Sequence, residues 1–313
     1  MEREKRTGFW AKIALFTAAL IWGISFFIVK DTTDQIPPNL LLAIRFTIGC
    51  AVLAVIFRKR LKKLNREYFK CGAVIGLCLF LAYSSQTIGI TDTTPGKNAF
   101  LTAVYCVIVP FLFWAVNKTR PDRYNLLAAV ICLTGIGMVS LTDGFSIRMG
   151  DALTLLGGFF YALHMVVVAK LAKDKDPMLI STLQFGYAAV CSWIVTLVFE
   201  PMPALSVFHL NVAGGILFLA LGCTALGLTL QNFGQKYTHP AAASIILSLE
   251  SVFGVLFSIL FYGEKMTARL VLGFVLIFIA ILISETKLEF LRKHEGIPKS
   301  AAQGRGTAAE EQS

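Results

Sequence analysis

Two residues stand out by where they occur. The chain has 313 residues, of which 15% are charged and 56% hydrophobic. Lys, Arg, Asp and Glu crowd into short polar segments, and the long apolar runs between them hold almost none. Arg45 and Glu250 are the exceptions, each well inside such a run. A charge at the centre of a hydrocarbon layer costs about 2.5–3.5 kcal/mol on insertion scales, so residues of this kind face protein or water and mark a pathway. At 1.5 Å per helical residue, Glu250 lies roughly 15 Å from Pro240 and Arg45 roughly 12 Å from Pro37, both near mid-depth. A carboxylate there can exchange a proton or hold a cationic group. A guanidinium does not deprotonate, so Arg45 suits the anchoring of a carboxylate. The plain alternative is a structural ion pair with Arg45 for Glu250, and a packing or lipid-facing snorkelling contact for Arg45.

Uncharged polar residues extend the candidate set. His164 lies about 9 Å from one end of its run and is able to titrate near neutral pH, although a neutral, hydrogen-bonded imidazole is the simpler reading. Gln86 and Gln231 place amides in apolar runs, where each must find a partner, either another helix or a solute. Lys97 and Asn98 stand at a run's end, and Lys97 is expected to be solvated, with the steering of anionic solutes as the alternative. Gly72 with Gly76, and Gly254 with Ser258, are spaced for close helix contacts.

The elements that must position these residues follow from run length. A spanning helix needs roughly 20 apolar residues to cross ~30 Å of hydrocarbon. Ten such runs occur, near 11–30, 36–57, 71–91, 96–116, 124–142, 151–170, 177–199, 210–233, 240–261 and 268–285. They are continuous rather than alternating, which argues for helices over a membrane β-barrel. The first run lacks a small-residue cleavage site and is expected to stay as a span. With the N-terminus in the cytoplasm, 23 of the 29 Lys and Arg fall on the cytoplasmic side, 5 on the other, and Arg45 within a span. That asymmetry predicts N-in, C-in topology and accounts for the net charge of +10 without invoking nucleic acid. The basic stretch Arg58 to Lys70 can touch anionic headgroups. The seven cysteines lie in or beside apolar runs and read as free thiols acting as small hydrophobes. The tail after Lys287 is polar and expected to be disordered.

The chain is written twice. A shift of 145 places Gln86 on Gln231, Gly89 on Gly234 and Pro95 on Pro240. In the earlier part a shift of 139 places Trp22 on Tyr161, Ser25 on His164, Arg45 on Gln184 and Pro38 on Pro177. Each half then holds five spans. Five is odd, so the second half enters the membrane from the opposite side, which is the inverted repeat of many secondary transporters.

The stretches Leu230-Gln231-Asn232-Phe233-Gly234, Leu249-Glu250-Ser251-Val252-Phe253-Gly254 and Phe261-Tyr262-Gly263-Glu264-Lys265 resemble the EamA-type repeat of the drug/metabolite transporter superfamily. Trp22-Gly23, Arg45-Phe46, Gln86-Thr87-Ile88-Gly89 and Val109-Pro110 resemble it in the first half. The chain departs from many members in having Ser251 where they carry Pro. The resemblance covers roughly residues 8–285. It implies a ten-span secondary transporter with a cavity between two inverted halves, and it implies that the spans carrying Trp22, Tyr83, Tyr105 and Tyr161 line that cavity. Aromatic walls with a few polar groups suit an amphipathic organic solute.

Other classes fit less well. The four histidines form no H-E-x-x-H, and no G-x-S-x-G occurs, so an enzyme is not expected. Gly96-Lys97 lacks the rest of a phosphate-binding loop. A channel would want a ring of like charges or a carbonyl filter. The expectation is thus an all-α integral membrane protein of ten transmembrane helices in two inverted five-helix repeats. Residues 1–7 form a cytoplasmic tail, 8–142 and 146–285 the two repeats, and 286–313 a cytoplasmic basic tail. It is expected to export small organic metabolites such as amino acids, amines or drugs across the cytoplasmic membrane of a bacterium by alternating access. Glu250, Arg45, Trp22, Tyr83, Gln86, Tyr105, Tyr161, His164 and Gln231 are the binding or coupling residues. No cofactor, metal or nucleic acid is expected. The bilayer and a small metabolite are the partners, and the sequence permits protons and a second copy of the chain. The alternative is a sensor or scaffold of the same fold.

Overall fold

The computed structural model describes residues 2–118, 120–141, 147–238 and 240–287, and the expected disordered tail lies outside them from residue 288 on. The described residues are helical nearly throughout and contain no strand beyond one isolated bridge between Leu141 and Ile147. Twelve α-helices run α1 (Glu2–Thr33), α2 (Pro38–Ile56), α3 (Arg66–Thr91), α4 (Pro95–Ala103), α5 (Tyr105–Asn117), α6 (Arg123–Ser140), α7 (Met149–Leu171), α8 (Pro177–Phe199), α9 (Leu210–Leu217), α10 (Gly227–Tyr237), α11 (Pro240–Phe257) and α12 (Ala268–Thr286). Nine helical stretches among the described residues are long and apolar enough to cross a membrane, and Ile246–Tyr262 is a shorter apolar one. Large apolar side chains stand on the outside, Leu133 at 68% exposed and Leu197 at 67% among them. A soluble bundle would bury such residues; a bilayer solvates them.

Helix starts follow local chemistry. Asn65, Thr94, Asp122, Asp176 and Thr267 each cap a helix N-terminus with a side-chain oxygen. Pro37 precedes α2 and offers no such group. Glu200, just past α8, supplies it instead. Its carboxylate accepts from the backbone N–H of Asn39 (2.9 Å) and of Leu40 (3.0 Å).

Three of the expected continuous spans are interrupted. The run 96–116 breaks at Val104 into α4 and α5. Pro110 lies inside α5 and has no N–H for the carbonyl of Cys106 four residues back. The Ser284 hydroxyl on α12 donates to that carbonyl at 3.2 Å. The run 210–233 has a π-helical stretch, Phe218–Leu226, between α9 and α10, and α11 ends in a π-helical turn, Ser258–Tyr262. Through Ser251, by contrast, α11 is unbroken, and the Ser251 hydroxyl donates to Ser248 O (2.8 Å).

Glycines set the closest helix approaches. A Cβ on Gly72 would lie 2.6 Å from Leu183 Cβ, and one on Gly76 2.9 Å from Gln184 O, so α3 rests directly on α8. Gly254 likewise brings α11 against α4, where a Cβ would stand 2.5 Å from Ala99 Cβ. All seven cysteines are free, with Cys78, Cys132 and Cys223 buried and the other four partly so.

Candidate functional site

Arg45 is buried at 4% exposure on α2. Its Nε donates to Thr224 Oγ1 at 3.2 Å, and its guanidinium lies 4.9 Å from the centre of the Tyr83 ring. Thr224 belongs to the π-helical stretch, and its hydroxyl donates to the carbonyl of Leu219 five residues back (3.0 Å). The same stretch presents the carbonyl of Cys223, which accepts from the Trp22 indole N–H at 2.9 Å. Widening the helix by one residue thus gives two first-half side chains, Arg45 and Trp22, a hydrogen-bonding partner each. π-Bulges recur at functional sites for this kind of reason.

The aromatic wall is continuous. Tyr83 packs edge-on against Tyr161 at 5.2 Å between ring centres, and Tyr105 lies 6.1 Å from Tyr161. The Tyr161 hydroxyl donates to Gln86 Oε1 (3.0 Å), and Gln86 Nε2 donates to Thr102 Oγ1 (3.0 Å). His164 Nε2 is 2.8 Å from Gln184 Oε1. These groups enclose a cavity of about 240 Å³, into which Gln231 and Glu250 also reach. All nine residues singled out in the sequence line it.

Arg45 and Glu250 do not form the structural ion pair that was the plain alternative. No ion pair joins them, and Glu250 makes no hydrogen bond to another described residue. An acidic and a basic side chain therefore line one cavity with no bond between them. Asn98, which the sequence placed at a run's end, also lines the cavity, as do Ser25, Thr102, Cys223 and Thr224, which were not among the sequence candidates. Small hydroxyl and thiol side chains are common in apolar helices, and only tertiary placement separates these from the rest.

The expectation of a solvated Lys97 is corrected. Its ammonium pairs with Asp151 at 3.3 Å, and the Asp151 side chain is fully buried. The Thr93 hydroxyl donates to the same carboxylate (2.5 Å), and the N–H of Gly150 donates to Asp92 (3.0 Å). Glu264, 8% exposed, accepts from the hydroxyls of Thr94 and Ser258 and from the N–H of Gly96. Lys30 is buried beside them and donates to Thr91 O (2.9 Å). Burying charge is costly unless it is paired, and here every one of these charges has a partner. These bonds tie α1, α3 and α4 to one another, to α7 and to the segment after α11 at this end of the bundle.

Comparison with known proteins agrees with this architecture. The model of the EamA-like transporter family matches twice, over residues 9–141 and 148–286. An uncharacterized transporter of Archaeoglobus fulgidus is 31% identical over 278 residues, which is 88% of this chain and 85% of that protein. The uncharacterized inner membrane transporter YedA of Escherichia coli K12 is 23% identical over 90% of this chain and 92% of its own. A solved crystal structure shares the fold with a TM-score of 0.62 at 17% identity, covering 91% of this chain and 99% of that one. The chain is a multi-span membrane protein of the EamA-like transporter family.

Proposed function

We propose that the protein is a secondary active transporter that exports small organic metabolites across the cytoplasmic membrane by alternating access. One observation carries this reading: a charged, aromatic-walled cavity lies between the residues matched to the two family repeats. Paired contacts support an inverted repeat. Gly89 on α3 meets Gly150 on α7, where a Cβ would lie 2.8 Å from Gly150 O. Their counterparts by the sequence shifts, Gly234 and Ala11, meet in the same way at 2.9 Å from Ala11 O. The two contacts stand at opposite ends of the spans, as related units entering from opposite sides would have them. With N-in orientation, the closed Lys97 end faces outward, and the cavity belongs to a state shut to the outside.

The charges suggest the cargo. Thr224 and the Tyr83 ring hold Arg45 in position to receive a carboxylate without rearrangement. Glu250 has no partner of its own, so it takes the ammonium of an amine or amino acid, or a proton when the site is empty. Exchange of these two occupants on one carboxylate couples export to proton entry.

The test is flux in proteoliposomes with an imposed pH gradient across a panel of labelled amines and amino acids. The wild type carries at least one of them with a rate that depends on the gradient. Glu250→Gln folds and loses that dependence. Gradient-dependent flux that survives in the Gln variant would sink the coupling role of Glu250, and absence of flux for solutes that bind would sink the transport reading.

A further inference from the structure

At the closed end of the cavity one buried polar atom has nothing to bond. Asn98 on α4 is fully buried and lines the cavity. Its Nδ2 donates both protons, to Gln86 O (3.1 Å) and to Thr154 Oγ1 (2.8 Å). Thr154 spends its own proton on Gly150 O (2.7 Å), so toward Asn98 it acts as an acceptor. Two acceptors on one side fix which way the amide points, because only the nitrogen can face them. The oxygen, Asn98 Oδ1, is left without a partner among the described residues and is itself covered, so a donor reaches it only by parting the groups packed around it. A buried carbonyl in that condition is destabilising until a donor arrives.

Its position relative to Glu250 can be read from the helices. Ala99 and Gly254 touch, so they share a depth. The two helices run in opposite directions there, since Glu264, beyond the end of α11, bonds Thr94 at the start of α4. Asn98 is one residue nearer the closed end than Ala99, and Glu250 is four residues farther from it than Gly254. At 1.5 Å per residue they are separated by about 7–8 Å in depth. Side chains tilt toward their helix N-termini, which spreads the two polar groups further apart.

We propose that Asn98 Oδ1 is a second anchor of the cavity, receiving a hydroxyl or amino donor at the end of an elongated amine whose ammonium group sits on Glu250. This rests on the reading of Glu250 given above and narrows it. The favoured solute is a cation with a hydrogen-bond donor at its far end and an apolar, preferably aromatic, body between, in contact with the tyrosine wall. An acceptor in that place would face another acceptor and be rejected. A site built to pair with a donor discriminates strongly against the analogue that lacks it.

Three probes separate the ideas: tyramine, with ammonium and hydroxyl at opposite ends; its methyl ether, 4-methoxyphenethylamine; and phenethylamine, with the ammonium alone. Binding to the purified full chain is read by tryptophan fluorescence. Tyramine is expected to bind about tenfold tighter than either control, the size of one well-made hydrogen bond to a buried partner. In Asn98→Leu, which cannot accept, the tyramine preference falls to about one. If the wild type binds phenethylamine but shows no preference for tyramine, the Asn98 anchor is overturned while the Glu250 reading stands. If none of the three binds, the amine assignment is overturned as well, and transport of other solutes is judged by flux. A preference that persists in Asn98→Leu would also overturn the proposal, and the wild-type ratio decides it if that variant does not fold.

Discussion

The acidic residues divide by how their oxygens are used. Glu200 accepts from two backbone N–H groups, from Asn39 Nδ2 and from the Thr196 hydroxyl. Glu264 and Asp151 are similarly saturated. These carboxylates are structural, and each ties elements distant in sequence. Glu250 is different in kind, because it lines the cavity and its oxygens accept no hydrogen bond from another described residue. Asp122 shows what a structural carboxylate contributes outside the membrane. It caps α6 through the N–H groups of Tyr124 and Asn125 and pairs with Lys287 at 2.8 Å. Burial pushes its carboxyl up, but the bond from Lys287 and the two backbone donors outweigh that and hold it below its ordinary 3.8. A depressed folded value stabilises the protein above the ordinary pKa, and that contribution is lost as pH falls through the folded one. Asp122→Ala should therefore lower stability by about 1 kcal/mol at pH 7. The difference in melting temperature between the variant and the wild type should shrink as pH approaches 3. An equal difference at both pH values would mean that the carboxylate charge is not what caps the helix.

Interrupted helices do at the scale of elements what single residues cannot. The break at Val104 sits between Thr102 and Tyr105, both on the cavity, and six residues on, Pro110 frees the Cys106 carbonyl that Ser284 bonds. Pro110→Ala restores the missing N–H, and Ala is up to ~3 kcal/mol more favourable than Pro inside a helix. The variant should melt higher yet bind cavity ligands more weakly, because a straighter span turns Tyr105 and Thr102 away. Tighter or unchanged binding in the stabilised variant would show that the break does not shape the site. Elements of this kind also mark where sequence reading stops. Arg45 and Glu250 were legible because charge is so rare in the spans, and Gln86, Gln231, Trp22 and Tyr161 because the two halves repeat them. Pro110 was visible, but not the serine that satisfies the carbonyl it orphans. The π-helical stretch at Phe218–Leu226 has no sequence signature, since one extra residue per turn leaves an apolar run looking like any other. Without it, Thr224 is one more small hydroxyl. Lys97 was misread for the same reason: Asp151, its partner, is 54 residues away, and only the fold brings them together.

For the whole molecule, the closure proposed at the Lys97 end would rest on ties between the two family-matched regions. Lys97 and Thr93 bond Asp151, Asp92 bonds Gly150, and Thr94 and Gly96 bond Glu264. The alternating access proposed above would require these ties to break together while those at the other end form. Two packed arrangements of similar free energy are needed, and a change in either shifts the population. The Lys97–Asp151 pair allows a clean perturbation. Removing Lys97 alone leaves a fully buried carboxylate uncompensated, which costs about 3–5 kcal/mol. Lys97→Met should thus be unstable, whereas Lys97→Met with Asp151→Asn leaves no charge to strand and should recover most of the loss. What the double variant lacks is the tie itself. A membrane-impermeant maleimide applied from the Lys97 side should then label a cysteine placed at Thr102, on an otherwise cysteine-free background, faster than it does with the pair intact. Labelling in a Lys97/Asp151 background as fast as in the double variant would mean the pair does not hold that end shut. A double variant no more stable than Lys97→Met alone would mean the buried charge is not what destabilises the single change.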